Sequence, residues 1–201
     1  MKLVFATNNA HKLQEVREIL PADVEVISLH EIGFDKEIDE TGTTLEENSR
    51  IKAEEVYRFA MHNAQCAMID GVFADDTGLE ISALGGQPGV YTARWAGEPS
   101  NPENNRKKAL AELAGENNRK AQFRTVVTLI RNGRTEQMEG VVRGEIAMEE
   151  RGDGGFGYDP LFIPEGYDKT FAELPSEVKN GISHRARAMQ ALCVILQENT
   201  L

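Results

Sequence analysis

The chain has 201 residues, 40% hydrophobic and 27% charged, which fits one globular domain over 1–201 with a sizeable core and excludes a multidomain assembly. Lys and Arg number 22 against 33 Asp and Glu, and the net charge of −11 makes duplex nucleic acid a poor partner while leaving room for local phosphate binding. No apolar run reaches the roughly 20 residues of a membrane span, the apolar start is too short for a secretory signal, and Cys66 and Cys193 lack disulfide or zinc spacing. A cytoplasmic protein with two buried, reduced thiols is expected.

Residues 2–6 (KLVFA) have strand character, and after them Leu13, Val16, Ile19 and Leu20 recur at helical spacing. A second strand is expected over 24–28, and a helix over 45–63 through Leu45, Ile51, Val56 and Phe59. Two short strands, 72–74 and 79–84, are expected on either side of an acidic turn, Asp75-Asp76-Thr77-Gly78. A loop rich in glycine and proline follows over 85–102, then a helix over 103–114 stopped by Gly115. Segments 122–131 and 135–149 flank Asn132-Gly133, a strong hairpin signal, and 183–198 carries Met189, Leu192, Cys193 and Leu196 on one helical stripe. The pattern predicts a mixed α/β fold with a partly antiparallel sheet.

Four constellations carry possible chemistry. Thr7-Asn8-Asn9-Ala10-His11-Lys12 lies where a strand gives way to a helix, a place suited to an anion, or simply to an Asn cap beside a solvated lysine. Asp39-Glu40-Thr41-Gly42 and Asp75-Asp76 could supply the few carboxylates that Mg²⁺ takes beside water and phosphate oxygens, or could be solvated acidic turns. Residues 152–160 are rich in glycine around Phe156 and Tyr158, either a slot in which an aromatic ring stacks on a base or a turn with core aromatics. Lys179, His184 and Arg185 offer donors for ligand oxygens, and Ser183 suits a helix cap better than a nucleophile.

In this order, Thr7-x-Asn9-x-x-Lys12, Asp75-Asp76-Thr77-Gly78-Leu79, Phe156-Gly157-Tyr158-Asp159-Pro160 and Ser183-His184-Arg185, the chain resembles the inosine/xanthosine triphosphate pyrophosphatase family. The resemblance implies a long mixed β-sheet with two α/β lobes flanking a central nucleotide-binding cleft, and a homodimer. It implies Mg²⁺-dependent cleavage of deaminated purine nucleoside triphosphates (ITP, dITP, XTP) to the monophosphate and pyrophosphate. Thr7, Asn8, Asn9, Ala10, His11 and Lys12 would grip the triphosphate, Glu40 and Asp76 would serve the metal, and Asp76 would activate water. Thr77 would hold a phosphate or sugar oxygen, and Phe156 would stack on the purine. Gly157, Tyr158 and Asp159 would line the base slot, and Lys179, His184 and Arg185 would reach phosphate and the 6-keto oxygen. Asn8 stands where many relatives have glycine, and Asp39 competes with Glu40 as the metal ligand. The rivals are a pyrophosphatase for other modified nucleotides and a non-catalytic nucleotide sensor.

Overall fold

The structure, a computed structural model, describes residues 1–198. Strand β1 (Lys2–Phe5) leads into helix α1 (Ala10–Ile19), followed by β2 (Glu25–Ile27), α2 (Leu45–Met61) and β3 (Gly71–Ile81). Next come β4 (Gln87–Gly89), α3 (Pro102–Glu112), β5 (Lys120–Arg131), β6 (Arg134–Ile146), β7 (Phe162–Pro164), α4 (Ser176–Ile182) and α5 (His184–Glu198). The seven strands form one mixed sheet in the order β2-β1-β3-β5-β6-β7, with β4 paired to β3. β1 runs parallel to β2 and β3, whereas β3–β4 and β6–β7 are antiparallel.

Two compact units divide the chain. The first comprises Met1–Asp76, Thr125–Gly140 and the chain from Arg185; the second comprises Thr77–Arg124 and Val141–His184. The boundaries fall inside β3, β5 and β6 and after the first residue of α5. In the first unit the sheet is buried on both faces, which explains the unbroken apolar run of β1. Leu3, Phe5 and Phe73 pack against Val16 of α1 and Met189, Leu192 and Leu196 of α5. Val4, Ala6, Val72 and Ala74 pack on the opposite side with Ala53 and Val56 of α2. The second unit has its own core, in which Phe123, Phe162 and Phe171 meet Leu79, Ile81 and Leu113.

Local signals account for the element ends. Asn9 caps α1, Thr44 caps α2, and Asn101 caps α3 ahead of Pro102. Asn132 and Gly133, at φ 51° and 71°, make the two-residue turn between β5 and β6. Ser183 has extended backbone directly before α5, as a cap requires.

Several expectations are corrected. There is no acidic turn at 75–78: β3 is a single strand of 11 residues, because buried cations compensate both carboxylates and the strand has no need to reach solvent there. The segment 85–102 contains β4 and a 3-10 turn at Thr92–Arg94. Strand β7 and helix α4 are additional elements. Both thiols are free, but Cys193 is only partly buried, because it sits at the margin of the α5 stripe.

Candidate active site

Side chains alternate across a strand, so Asp75 and Asp76 of β3 point to opposite faces. Asp75 lies on the side of α1 and α5. Its Oδ1 accepts from Lys12 Nζ at 2.9 Å, and its Oδ2 accepts from Arg185 Nε and Nη2 at 3.2 and 3.1 Å. Arg185 Nη1 also donates to Glu15 Oε2 at 2.5 Å. Burial alone would raise the Asp75 pKa, but Lys12, Arg185 and Lys52 together hold it far below the usual carboxylate range. Burial in turn lowers Lys12 more than Asp75 restores it.

Asp76 faces α2. Lys52 Nζ lies 3.4 Å from Asp76 Oδ1 and 3.0 Å from Glu40 Oε1, so one ammonium serves both carboxylates. The other Asp76 oxygen is buried and has no hydrogen-bond partner. Burial first, then the neighbouring Glu40 and Asp75 carboxylates, push the Asp76 pKa up against the pull of Lys52 and Lys12, and the net shift is upward. Burial works against the charge on Lys52, but Asp76 and Glu40 outweigh it and keep the ammonium protonated. Helix α2 is fixed beside the strand by Ser49, whose Oγ lies in hydrogen-bond contact with the Ala74 carbonyl at 3.1 Å and with the Thr128 hydroxyl at 2.8 Å. The acidic segment is tied to the same helix: Gly42 N donates to Asn48 Oδ1 at 2.8 Å and Thr43 N to Glu47 Oε2 at 2.6 Å.

The second unit carries the aromatic segment. Asp159 Oδ2 accepts from Phe156 N at 2.7 Å and from Lys179 Nζ at 2.7 Å, and Lys179 lies over the Phe156 ring at 4.9 Å. Phe156 and Gly157 are partly exposed. The His184 ring stacks on Phe123 with centroids 4.5 Å apart, buried beside Phe171.

The structure thus brings Lys12, Glu40, Asp76 and Arg185 into one charged cluster, and Phe156, Asp159, Lys179 and His184 into another. Other expectations change. The N–H groups of His11 and Lys12 are taken by the Asn9 side chain, so the start of α1 is self-capped rather than open to an anion through those two groups. Asn8, Asn9, Ala10 and His11 are exposed, and Thr7 and Thr77 are partly buried. Tyr158 is no stacking face: its ring is in the core and its hydroxyl donates to the Thr92 carbonyl at 3.0 Å. Asp159 is buried and paired, so it orders the segment from within. Arg185 is 1% exposed and committed to Asp75 and Glu15. Asp39 is exposed, and Glu40 is the acidic residue that shares Lys52 with Asp76.

Lys52 is the functional candidate that the motifs do not include. Its signal is a run of polar residues, Asn48, Ser49 and Lys52, at helical spacing on the buried face of α2. Among the described residues no three His, Cys, Asp or Glu side chains gather as a metal nest. Glu40 and Asp76, already sharing a cation and with one buried oxygen unpaired, suit a hard divalent ion that keeps water and phosphate oxygens as its other ligands.

Residues 3–195 match the model of the Ham1 family. Similar proteins include the dITP/XTP pyrophosphatases of Flavobacterium johnsoniae, 46% identical over 98% of either chain, and of Porphyromonas gingivalis, 50% identical over 95% of either chain. The solved structure of the Staphylococcus aureus Ham1 protein superposes with a TM-score of 0.84 at 40% identity, covering 99% of this chain and 100% of that one. A Ham1 protein from Coxiella burnetii reaches the same TM-score at 36% identity. With the match spanning nearly its whole length, this chain belongs to the Ham1 family.

Proposed function

We propose that the protein hydrolyses deaminated purine nucleoside triphosphates (ITP, dITP and XTP) to the monophosphate and pyrophosphate, with Mg²⁺ as cofactor. The observation that carries this reading is the 46–50% identity, over nearly the full length, to relatives named dITP/XTP pyrophosphatase. Glu40 and Asp76 would hold the metal, which when bound supplies charge neutralisation for the phosphates and a more acidic water.

The chain's own residues supply the rest. Asp76 accepts the proton of the attacking water, a task that suits a carboxylate raised by burial yet kept near cations. Lys12 and Lys52 place positive charge where phosphate oxygens gain negative charge, and loss of one such donor costs about 3 kcal/mol in barrier height. Thr7 and Thr77 add hydroxyl donors, and the exposed Asn8, Asn9, Ala10 and His11 border the phosphate-binding turn. Phe156 offers its ring to the purine. His184 offers a donor to the 6-keto oxygen, with its ring held by Phe123, and Lys179 adds a charge beside Phe156. Adenine would present a 6-amino group to such donors and leave them unpaired, at about 1–3 kcal/mol each. A homodimer in the cytoplasm belongs to the same reading, supported by the family resemblance and testable by gel filtration.

The test is pyrophosphate release with Mg²⁺ from inosine, xanthosine, guanosine, adenosine and thymidine triphosphates, with the nucleotide product identified. Release from the first two with monophosphate as product supports the proposal. Binding without release from any of the five points to a sensor instead.

A further inference from the structure

The base-slot segment is a four-residue turn, Phe156 to Asp159, closed by Asp159 N donating to the Phe156 carbonyl at 3.1 Å. Gly157 sits at its first inner position with φ 62°, and Tyr158, which follows, lies outside the positive-φ region. That combination belongs to the turn that favours glycine at its first inner position. The peptide between Gly157 and Tyr158 is the central one of the turn, and its plane decides whether the segment offers a carbonyl or an N–H.

Arg106 of α3, 51 residues away in sequence, addresses that peptide: its Nη1 donates to the Gly157 carbonyl at 3.0 Å. Arg106 Nε lies 2.9 Å from Glu150 Oε2, an ion pair outside hydrogen-bond geometry, so the directed contact of the guanidinium is the one to Gly157. A trans peptide points its carbonyl and its N–H in opposite directions. With the carbonyl occupied by Arg106, the Tyr158 N–H is directed away from the arginine and has no partner among the described residues.

Resting on the proposed function, we infer that Arg106 is a positioning residue for base specificity. By holding the Gly157 carbonyl it fixes the central peptide so that the slot presents the Tyr158 N–H, a donor. A donor complements the 6-keto oxygen of hypoxanthine or xanthine and opposes the 6-amino group of adenine. A site built to pair with one group rejects the analogue that leaves its polar atom unpaired.

The test compares the full-length protein with Arg106→Met, which keeps the side-chain stem, and Arg106→Lys, which keeps one donor. Steady-state hydrolysis of inosine and adenosine triphosphates is measured together with calorimetric binding of inosine and adenosine monophosphates. In Arg106→Met the preference for inosine over adenosine falls roughly five- to tenfold, the worth of one hydrogen bond. The change falls on KM and on monophosphate affinity rather than on kcat, and Arg106→Lys recovers part of it. An unchanged preference, or equal losses on both nucleotides, overturns the inference. If the parent hydrolyses neither triphosphate, the proposed function fails on its own, and the monophosphate preference still decides the role of Arg106. A parent with no such preference overturns that role as well.

Discussion

Asp75 and Asp76 are neighbours in sequence but meet different helices: Asp75 is saturated by Lys12 and Arg185, whereas Asp76 shares Lys52 with Glu40 and keeps one buried oxygen unpaired. Two carboxylates one peptide apart are thereby given different environments, one fully paired with cations and one with a buried oxygen left over.

Asp75→Ala is expected to destabilise the protein by about 3–5 kcal/mol, because it leaves the partly buried Lys12 without its counter-charge and the buried Arg185 with Glu15 alone. Asp75→Asn, which keeps the volume, should lose nearly as much, separating charge from cavity. Urea denaturation of the three proteins measures this. A loss below about 1 kcal/mol for both variants, the level of an exposed ion pair, would show that Lys12 and Arg185 find other partners.

Asp76→Asn should lower kcat by at least ~100-fold, the usual contribution of a positioned base. Relief of burial on a charged group keeps the fold, so the melting temperature should stay at or above that of the parent. Full turnover in this variant would remove Asp76 from the base role.

Gly42→Ala tests the tie between the acidic segment and α2. A Cβ at this position would lie 2.6 Å from Asn48 Oδ1 and 2.6 Å from Glu47 Cβ, so the segment must shift. A stability loss of about 1–3 kcal/mol is expected from this overpacking. Because Glu40 is two residues away, the Mg²⁺ concentration for half-maximal rate should rise. A Mg²⁺ titration that superposes on the parent's would detach Glu40 from the metal.

A pH-dependent contribution is expected at Glu31. Its carboxylate accepts from the Ser28 hydroxyl at 2.5 Å, from Ser28 N at 2.8 Å and from Arg17 Nη2 at 2.8 Å, and these bonds, led by the Ser28 hydroxyl, lower its pKa. A lowered folded-state pKa stabilises above the unfolded value of about 4.3 and loses that effect as pH falls through the folded value. The side chain is half exposed, so solvent screening limits the gain to about 0.5–1 kcal/mol. Glu31→Gln should therefore be less stable than the parent at neutral pH, with the gap closing in acid. A gap that stays constant down to strongly acidic pH would contradict this account.

Elements set by neighbouring residues are legible in the sequence. Asn9 before α1 and Asn132-Gly133 between β5 and β6 are local signals, and both elements form where they indicate. The segment 72–84 is misread because its solution is non-local. Asp75 and Asp76 resemble a turn when considered beside their neighbours, but Lys12 and Arg185, 63 and 110 residues away, make a buried strand tolerable. Likewise Phe156 and Lys179 are recognisable as candidates, whereas the burial of Tyr158 and Asp159 depends on Thr92 and Lys179. Helix α4 and strand β7 span 7 and 3 residues, too few to display a period.

The first unit draws on three separated stretches, the last beginning at Arg185. During synthesis from the N-terminus, β1, α1 and most of β3 leave the ribosome while the second cationic partner of Asp75 and the α5 wall of one core are still unmade. The nascent chain therefore holds a half-neutralised aspartate and an uncovered apolar sheet face until its final helix emerges. Emergence of α5, rather than completion of any earlier strand, becomes the event that commits this unit to its native state.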